Sequence, residues 1–294
     1  MVMKRRRKPF GERLFCYSNY IFMMLFGFIM LVPLLAVVST SLSSPHAVST
    51  GKVFLFPVDF TLASWEYILG LDKIWRSFLL TVVVTATGTV LSLILNSMMA
   101  YPLSKKEFAP GKYIMLAMSA TLIFNAPMIP YFLTVRKLGL FDNVLVLILP
   151  SLFGAYFMII MVTFMRQLPR ELEESAIIDG AGYMQILFKI VLPSSKAMLA
   201  TIGLFYAVSY WNQFKHPLLF IQNQKLYPLQ LTIRAFLTGE EVQWTSFSPV
   251  QKKMYNPDTV RSAVVIFCVL PIVLTYPYLQ RYFIKGVMIG SIKG

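Results

Sequence analysis

One stretch of the sequence combines aromatic rings with amide side chains, which are residue types that can bind sugars. Residues 206–213 read YAVSYWNQ. An aromatic face stacks on the apolar face of a sugar ring, while amides hydrogen-bond to the hydroxyl groups at its edge. Hydrogen bonds between packed helices explain such amides more simply, and Tyr and Trp are ordinary at a membrane interface. Both interpretations stay open for the candidate substrate-pathway residues, which are Asn96, Asn125, Tyr206, Tyr210, Trp211, Asn212 and Gln213.

A second stretch, ESAIIDGAG at 174–182, is polar and rich in glycine within a chain that is 57% hydrophobic. Pro169 can open a helix before it, and the acids that follow favour the positive N-terminal end of that helix. Gly180 and Gly182 then end the helix, and a second helix runs on to Pro193. Small residues around the bend allow another backbone to come close, so the pattern favours docking into a groove of a second protein. A plain connection between two helices is the alternative.

The residues needed for catalysis or metal binding are missing. No G-x-x-x-x-G-K-[ST] motif occurs, so we do not expect this chain to bind ATP itself. His46 and His216 are the only histidines, and neither has a partner at metal-ligand spacing. We therefore expect no metal site, no cofactor and no enzyme activity in this chain.

The composition is that of a membrane protein. Charged residues make up 14% of the chain, against about 25% in soluble domains. The mean hydropathy is +0.65. A bilayer core of about 30 Å needs roughly 20 apolar residues per helix. We predict an all-α membrane protein with one transmembrane domain over 1–294 and six spanning helices, at about 19–41, 77–101, 113–134, 143–165, 197–216 and 262–282.

The distribution of Lys and Arg predicts the orientation of these helices. Cytoplasmic segments carry an excess of both residues, and the assignment fits best with the N- and C-termini in the cytoplasm. The segment 166–196 is then cytoplasmic, and the long loop 217–261 is extracellular. The same topology accounts for the net charge of +14, so we do not expect nucleic acid as a partner. The apolar run after the basic N-terminus is too long for a signal peptide, which predicts an uncleaved first helix.

The spacing of residues 174–193 resembles the EAA loop of binding-protein-dependent ABC importers. Glu174-Ser175-Ala176 precedes Gly180 by three residues, and Ile190-Val191-Leu192-Pro193 follows after nine more. Ser175 stands where the family usually has Ala. In that family the loop forms a coupling helix that docks into a cleft of the cytosolic ATPase. The resemblance implies ATPase-coupling roles for Glu174, Ser175, Ala176, Asp179, Gly180, Ala181, Gly182, Leu192 and Pro193.

The resemblance extends along nearly the whole chain. The C-terminal sequence QRYFIKGVMIGSIKG is similar to the tail of the maltose-type permease subunit, which reaches into the ATPase dimer in that family. By this likeness the C-terminal ATPase contacts are Gly290, Ser291, Ile292, Lys293 and Gly294. YPLSKKEF and LFYAVSYWNQF resemble the complex-oligosaccharide branch of carbohydrate-uptake permeases.

The family resemblance implies a type I ABC importer permease fold and a permease subunit that imports oligosaccharides. The expected partners are a second homologous permease, two cytosolic ATPase subunits that bind ATP and Mg, and an extracellular solute-binding protein. The expected location is a bacterial cell membrane. The resemblance also leaves room for an acidic sugar as substrate.

Two rival functions follow from other classes of membrane protein. A secondary transporter or facilitator would work without an ATPase, but the predicted spans hold no Asp, Glu, Lys or Arg in their interiors, where ion-coupling groups usually lie. A membrane-bound enzyme needs a convergent catalytic set, which we do not find. Within the ABC family, a permease for a non-sugar solute such as an amino acid or phosphate is a further alternative.

Overall fold

The computed structural model describes residues 10–124, 126–240 and 254–291. Every regular element in these ranges is helical, and no strand occurs within them. Four short 3₁₀ or π segments connect or extend the α-helices. The α-helices are α1 (Phe10–Ser41), α2 (Pro45–Ser49), α3 (Ala63–Leu69), α4 (Asp72–Ser104), α5 (Gly111–Ile123), α6 (Met128–Lys137), α7 (Ala155–Met165), α8 (Glu171–Ile178), α9 (Tyr183–Ile186), α10 (Leu192–Ser194), α11 (Lys196–Trp211), α12 (Lys215–Phe220), α13 (Leu229–Thr238) and α14 (Pro257–Ser291).

Within the described residues, three helices are long and apolar enough to cross a membrane. They are α1, α4 and the Pro257–Thr275 part of α14. Two further crossings are possible if bent pairs of helices count as one span each. The first pair joins Val144–Ser151 to Ala155–Met165 at 45°, and the second joins Tyr183–Ser194 to Lys196–Phe220 at 87°.

The predicted helix at 113–134 is not continuous. Helix α5 ends at Ile123, and α6 begins at Met128 after Pro127, whose ψ of 144° is extended. A proline has no N–H for the helical ladder and pushes the residue before it out of the helical region. The predicted helix at 143–165 likewise begins as 3₁₀ turns, Val144–Leu147 and Leu149–Ser151, before α7 starts at Ala155.

The chain divides into two compact units. The first comprises 1–71 and 236–269. In it the segment after α1 folds back on the end of that helix: Ser39 Oγ donates to the carbonyl of Leu55 at 2.7 Å, and the N–H of Thr61 donates to the carbonyl of Leu42 at 3.0 Å. Ser64 of α3 donates to Thr259 of α14 at 2.7 Å, where both side chains are buried.

The second unit, 72–235 and 270–294, contains the predicted sites. Helix α4 packs against α7 and α11, and small residues make these contacts close. A Cβ at Gly88 would lie 2.6 Å from the ring of Tyr210, so only glycine fits between the two helices there. A hydrogen bond of 2.7 Å between the hydroxyls of Ser77 on α4 and Thr232 on α13 joins the start of α13 to α4.

Candidate functional site

The predicted helix-bend-helix is present. Helix α8 carries Glu171, Glu173 and Glu174 in its first turn, where the helix dipole favours negative charge. Pro169 lies two residues before the helix rather than at its first position. The helix ends at Ile178, and the bend follows directly. The predicted coupling residues Glu174, Ser175 and Ala176 therefore lie on α8, and Asp179, Gly180, Ala181 and Gly182 form the bend.

Gly180 is the residue that makes the bend. Its φ of +79° lies in the left-handed region, and a Cβ there would meet nothing within 4 Å. The turn at Gly180 is fixed by a hydrogen bond in which the N–H of Ala181 donates to the carbonyl of Ala176 at 2.9 Å. This is the usual glycine termination of a helix. Gly182 has an ordinary φ of −74° and caps α9, so the two glycines have different roles.

The second arm contains one π-helical turn, at Leu187–Val191. Pro193 follows the π turn and lies in α10. Because proline has no N–H, it cannot donate to the carbonyl four residues earlier. This missing bond accounts for the local change in helical hydrogen bonding. Leu192 is half-buried and Pro193 is exposed. The two predicted coupling residues at this end thus lie at the join with α11 rather than at the bend.

The bend presents apolar side chains to the surroundings. Ile178 is 85% exposed and Ile177 is 52% exposed, whereas Ala176 between the arms is buried. Tyr183 and Met184 on the second arm are also exposed. Exposed apolar groups flanked by acids are typical of a docking surface. The docking role of this surface stays a prediction.

A basic cavity of about 250 Å³ lies beside the first arm. Its lining residues are Ser104, Lys105, Lys106, Met165, Arg166, Leu168, Arg170 and Glu173. Arg166 donates to the carbonyl of Leu103 at 3.0 Å and so caps the end of α4. The nearby Glu107 has a lowered pKa, chiefly because its own backbone N–H bonds to the carboxylate, and Arg170 adds to the effect.

Three of the predicted pathway residues are buried in the packing between helices. Asn96 is fully buried, and its amide donates to the carbonyls of Ser92 at 2.6 Å and Leu152 at 2.7 Å. The hydroxyl of Tyr206 accepts from the N–H of Gly154 at 3.1 Å. The hydroxyl of Tyr210 lies 3.0 Å from Ser92 Oγ. The Tyr210 contact joins two helices, whereas Asn96 and Tyr206 bond to backbone groups just before α7.

Three more of the predicted pathway residues lie at or just after the end of α11. Trp211 and Gln213 are half-buried and Asn212 is exposed. Asn212 donates to the carbonyl of Val208 at 3.0 Å. Gln213 lies 3.2 Å from Ser151 Oγ and 3.1 Å from His216 Nδ1. The structure therefore separates these three residues from the buried set.

Trp211 also borders an apolar groove of about 510 Å³ within the second unit. The lining residues are Val82, Thr85, Ala86, Thr89 and Val90 of α4, Gly203, Leu204, Ala207, Val208 and Trp211 of α11, and Pro271, Ile272 and Thr275 of α14. The hydroxyls of Thr85 and Thr89 and the indole N–H of Trp211 have no hydrogen-bond partner in the described part of the chain. Buried polar groups without a partner are costly in a membrane.

Sequence reasoning missed a polar cluster around His216. The hydroxyl of Tyr131 lies 3.0 Å from His216 Nε2, and Ser151 Oγ lies 3.5 Å from Nδ1. Tyr131 lies on α6, Ser151 on a 3₁₀ turn and His216 on α12. Along the chain, Ser151 is 65 residues from His216, and Tyr131 is 85 residues from it. Nothing in the spacing of the residues could have brought them together. His216 itself is half-buried and lies near the start of α12.

Several predicted residues cannot be placed. Asn125 and Ile292, Lys293 and Gly294 lie outside the described residues. Gly290 and Ser291 form the last turn of α14, where the structure describes the backbone alone. No group of three or more possible metal ligands occurs within the described ranges.

Comparison with known proteins identifies the family. The model of the family described as "Binding-protein-dependent transport system inner membrane component" matches residues 1–289. The chain is 37% identical to the polygalacturonan/rhamnogalacturonan transport system permease protein YtcP of Bacillus subtilis, over 96% of this chain and 99% of that one. It is 36% identical to protein LplC of the same species, over 96% of each chain.

A solved structure agrees with these matches. A crystal structure of a bacterial ABC transporter involved in the import of the acidic polysaccharide alginate contains a chain that superposes with a TM-score of 0.89. The two chains are 31% identical, and the match covers 94% of this chain and 99% of that one. The fold is therefore the type I ABC importer permease fold predicted from the resemblance. This chain belongs to the family of inner membrane components of binding-protein-dependent transport systems.

Proposed function

We propose that this chain is one of two permease subunits of an ATP-driven importer, and that its substrates are oligosaccharides from acidic polysaccharides. The observation that carries the proposal is the full-length similarity to a polygalacturonan/rhamnogalacturonan permease and to a permease chain of an alginate importer. Galacturonan and alginate are both polymers of sugar acids. Permeases of this family work with a second permease, ATPases and a solute-binding protein, so a facilitator acting alone is not favoured.

The bend between α8 and α9 is the proposed contact with the ATPase. Its exposed isoleucines and left-handed Gly180 support this role because they form a compact apolar projection between charged neighbours. The ATPase subunits would bind ATP and Mg, and closure of their dimer would move the bend. The C-terminal residues 290–294 are proposed as a second contact, on the family likeness alone.

We propose six membrane crossings, with both termini in the cytoplasm of a bacterium. The three long helices and the two bent pairs account for five crossings, and α5 with α6 supplies the sixth.

Thiol labelling tests the orientation in a variant without Cys16 and Cys268. We expect a membrane-impermeant reagent to label Ser49→Cys in intact cells and Lys106→Cys only after the membrane is opened. Labelling of both from outside would contradict the topology.

The groove beside Trp211 is the proposed part of the translocation pathway. Three polar atoms of its lining are buried without a hydrogen-bond partner, and an opening of the groove would make them available to a sugar. Trp211 offers an aromatic face there, and Gln213 and Asn212 lie at the same end of α11. The buried Asn96, Tyr206 and Tyr210 would support this wall rather than touch the sugar.

Uptake by the reconstituted importer tests both the substrate class and the pathway. The importer, with its binding protein, is offered oligogalacturonides or the same oligomers after reduction of their carboxylates to neutral alcohols. We expect ATP-dependent uptake of the acidic oligomers, with at least tenfold preference.

Trp211→Ala is expected to lower uptake about tenfold, because an aromatic sugar platform is lost. Trp75→Ala serves as the control, since Trp75 is an exposed tryptophan that does not line the groove.

The two parts of this proposal fail separately. Equal uptake of the neutral and acidic oligomers would contradict the acidic substrate while leaving an oligosaccharide importer. Equal effects of Trp211→Ala and Trp75→Ala would contradict the pathway at α11. Uptake of sugar without ATP hydrolysis would contradict the importer itself.

A further inference from the structure

A mostly buried ionic contact joins the first arm of the bend to the end of α4. The carboxylate of Glu173 accepts a hydrogen bond from the hydroxyl of Tyr101 at 3.0 Å and forms an ion pair with Lys105 Nζ. The Lys105 ammonium also lies 4.5 Å from the centre of the Tyr101 ring. We call these three residues the Glu173 bridge.

The Glu173 bridge is not an ordinary surface ion pair. The Glu173 side chain is 14% exposed and that of Lys105 is 28% exposed, so both charges have lost most of their water. Removal of either partner from such a pair leaves the other charge without compensation. By contrast, Arg170 and Glu107 form a pair of 3.4 Å nearby with side chains 60% and 71% exposed, and such pairs contribute little.

Local helix geometry positions each member of the bridge. Tyr101 lies in the last turn of α4 and Lys105 follows four residues later, directly after the helix end. Residues four apart share one face of a helix, and a cation is favoured at a helix C-terminus. Glu173 lies in the first turn of α8, where an anion is favoured. The contact spans 68 residues of sequence, so the tertiary fold creates it.

Helix α4 makes a second set of contacts on the N-terminal side of Tyr101. Its Ser92 bonds to Tyr210 of α11, and its Asn96 bonds to the carbonyl of Leu152 before α7. A displacement of α8 must therefore either move α4 with it or break the Glu173 bridge. Because breaking the bridge would leave charges unpaired, the former is favoured. Motion of α4 would then reach the helices that line the proposed pathway.

We propose that Glu173, with Tyr101 and Lys105, is the positioning contact that transmits movement of the bend to α4. The inference rests on the proposed function, in which the ATPase moves the bend. Glu173 precedes the predicted coupling residues and has its partners within this chain. Its role is to hold α8 to the membrane helix, while the exposed bend meets the ATPase.

The test compares four variants, three of them described first, in the importer reconstituted with its second permease, ATPases and binding protein. Glu173→Gln removes the charge at nearly constant size, and Glu173→Lys with Lys105→Glu reverses the pair. Glu171→Gln is the matched control, because Glu171 lies in the same turn and is exposed. ATP hydrolysis and sugar uptake are measured on the same vesicles, together with the yield of assembled complex.

We expect Glu173→Gln to lower uptake at least tenfold while ATP hydrolysis without binding protein stays within twofold of wild type. The reversed pair should restore uptake to within threefold, and Glu171→Gln should change neither rate by more than twofold. Tyr101→Phe removes only the hydroxyl and should lower uptake about threefold. It provides a second measurement if Glu173→Gln assembles poorly.

Unchanged uptake in both Glu173→Gln and Tyr101→Phe would overturn the inference. So would a loss of uptake that parallels a loss of assembled complex and is not restored by the reversed pair, since that result would show a purely structural acid. Failure of the proposed function would give a different result. Wild-type vesicles, in which the Glu173 bridge is intact, would then show no ATP-dependent uptake.

Discussion

Replacing Gly180 with aspartate is expected to abolish uptake and the substrate-stimulated part of ATP hydrolysis, by at least a hundredfold, in a complex that still assembles. The left-handed φ of +79° costs an L-residue about 1 kcal/mol. The surrounding space is open, so the fold can accept the side chain. We expect the larger effect to come from a branched carboxylate at the tip of the apolar surface that we propose as the ATPase contact. Uptake, ATP hydrolysis and complex yield are measured together.

Two further variants separate strain from docking. Gly139 has a φ of +72° and equally open surroundings, so Gly139→Asp imposes the same strain and charge outside the bend. We expect it to leave transport within about twofold of wild type. Gly180→Ala introduces the strain without the carboxylate and should give an intermediate effect. If Gly180→Asp and Gly139→Asp behave alike, the bend is not the coupling element.

Gly88→Ala is expected to destabilise the permease strongly. All three of the nearest atoms to the added Cβ belong to the Tyr210 ring and lie between 2.6 and 2.8 Å away, inside van der Waals contact. Overpacking of this kind costs about 1–3 kcal/mol. Since Tyr210 also bonds to Ser92, its ring cannot move aside without losing that hydrogen bond. Thermal unfolding of the purified permease should begin several degrees lower.

Gly203→Ala provides the comparison for this effect. Its added Cβ would lie 3.1 Å from a terminal methyl group of Leu93, which can rotate away. We expect a shift less than half as large. Combining Gly88→Ala with Tyr210→Leu removes the ring and should recover part of the loss. Equal shifts for Gly88→Ala and Gly203→Ala would mean that the helices separate easily at Gly88.

Long apolar runs were the most predictable feature of the fold. Helices α1 and α4 contain the predicted segments 19–41 and 77–101, and α1 stays continuous through Pro33. The segment 113–134 was also predicted as one helix, yet the chain leaves the helical conformation at Pro127. Hydropathy alone does not register that break, and the backbone consequences of Ala126-Pro127 would have been a better guide.

The candidate site was predictable where its signal is local. The glycine bend at 180 depends on residues adjacent in sequence, and it is present at the predicted place. Tyr206 and Tyr210 were ambiguous, because the side of α11 that faces α4 is decided by packing. The Glu173 bridge and the His216 cluster depend on contacts across 65 or more residues of sequence. One sequence without its fold cannot specify them.

Helix α1 has a further significance for the biogenesis of the protein. None of the residues in its most hydrophobic 18-residue window is buried by the described part of the chain. We therefore expect that membrane insertion of this helix does not depend on later helices to cover its apolar surface. Lipid or a neighbouring subunit must supply that cover. We expect newly made copies without such a neighbour to be exposed to membrane quality control.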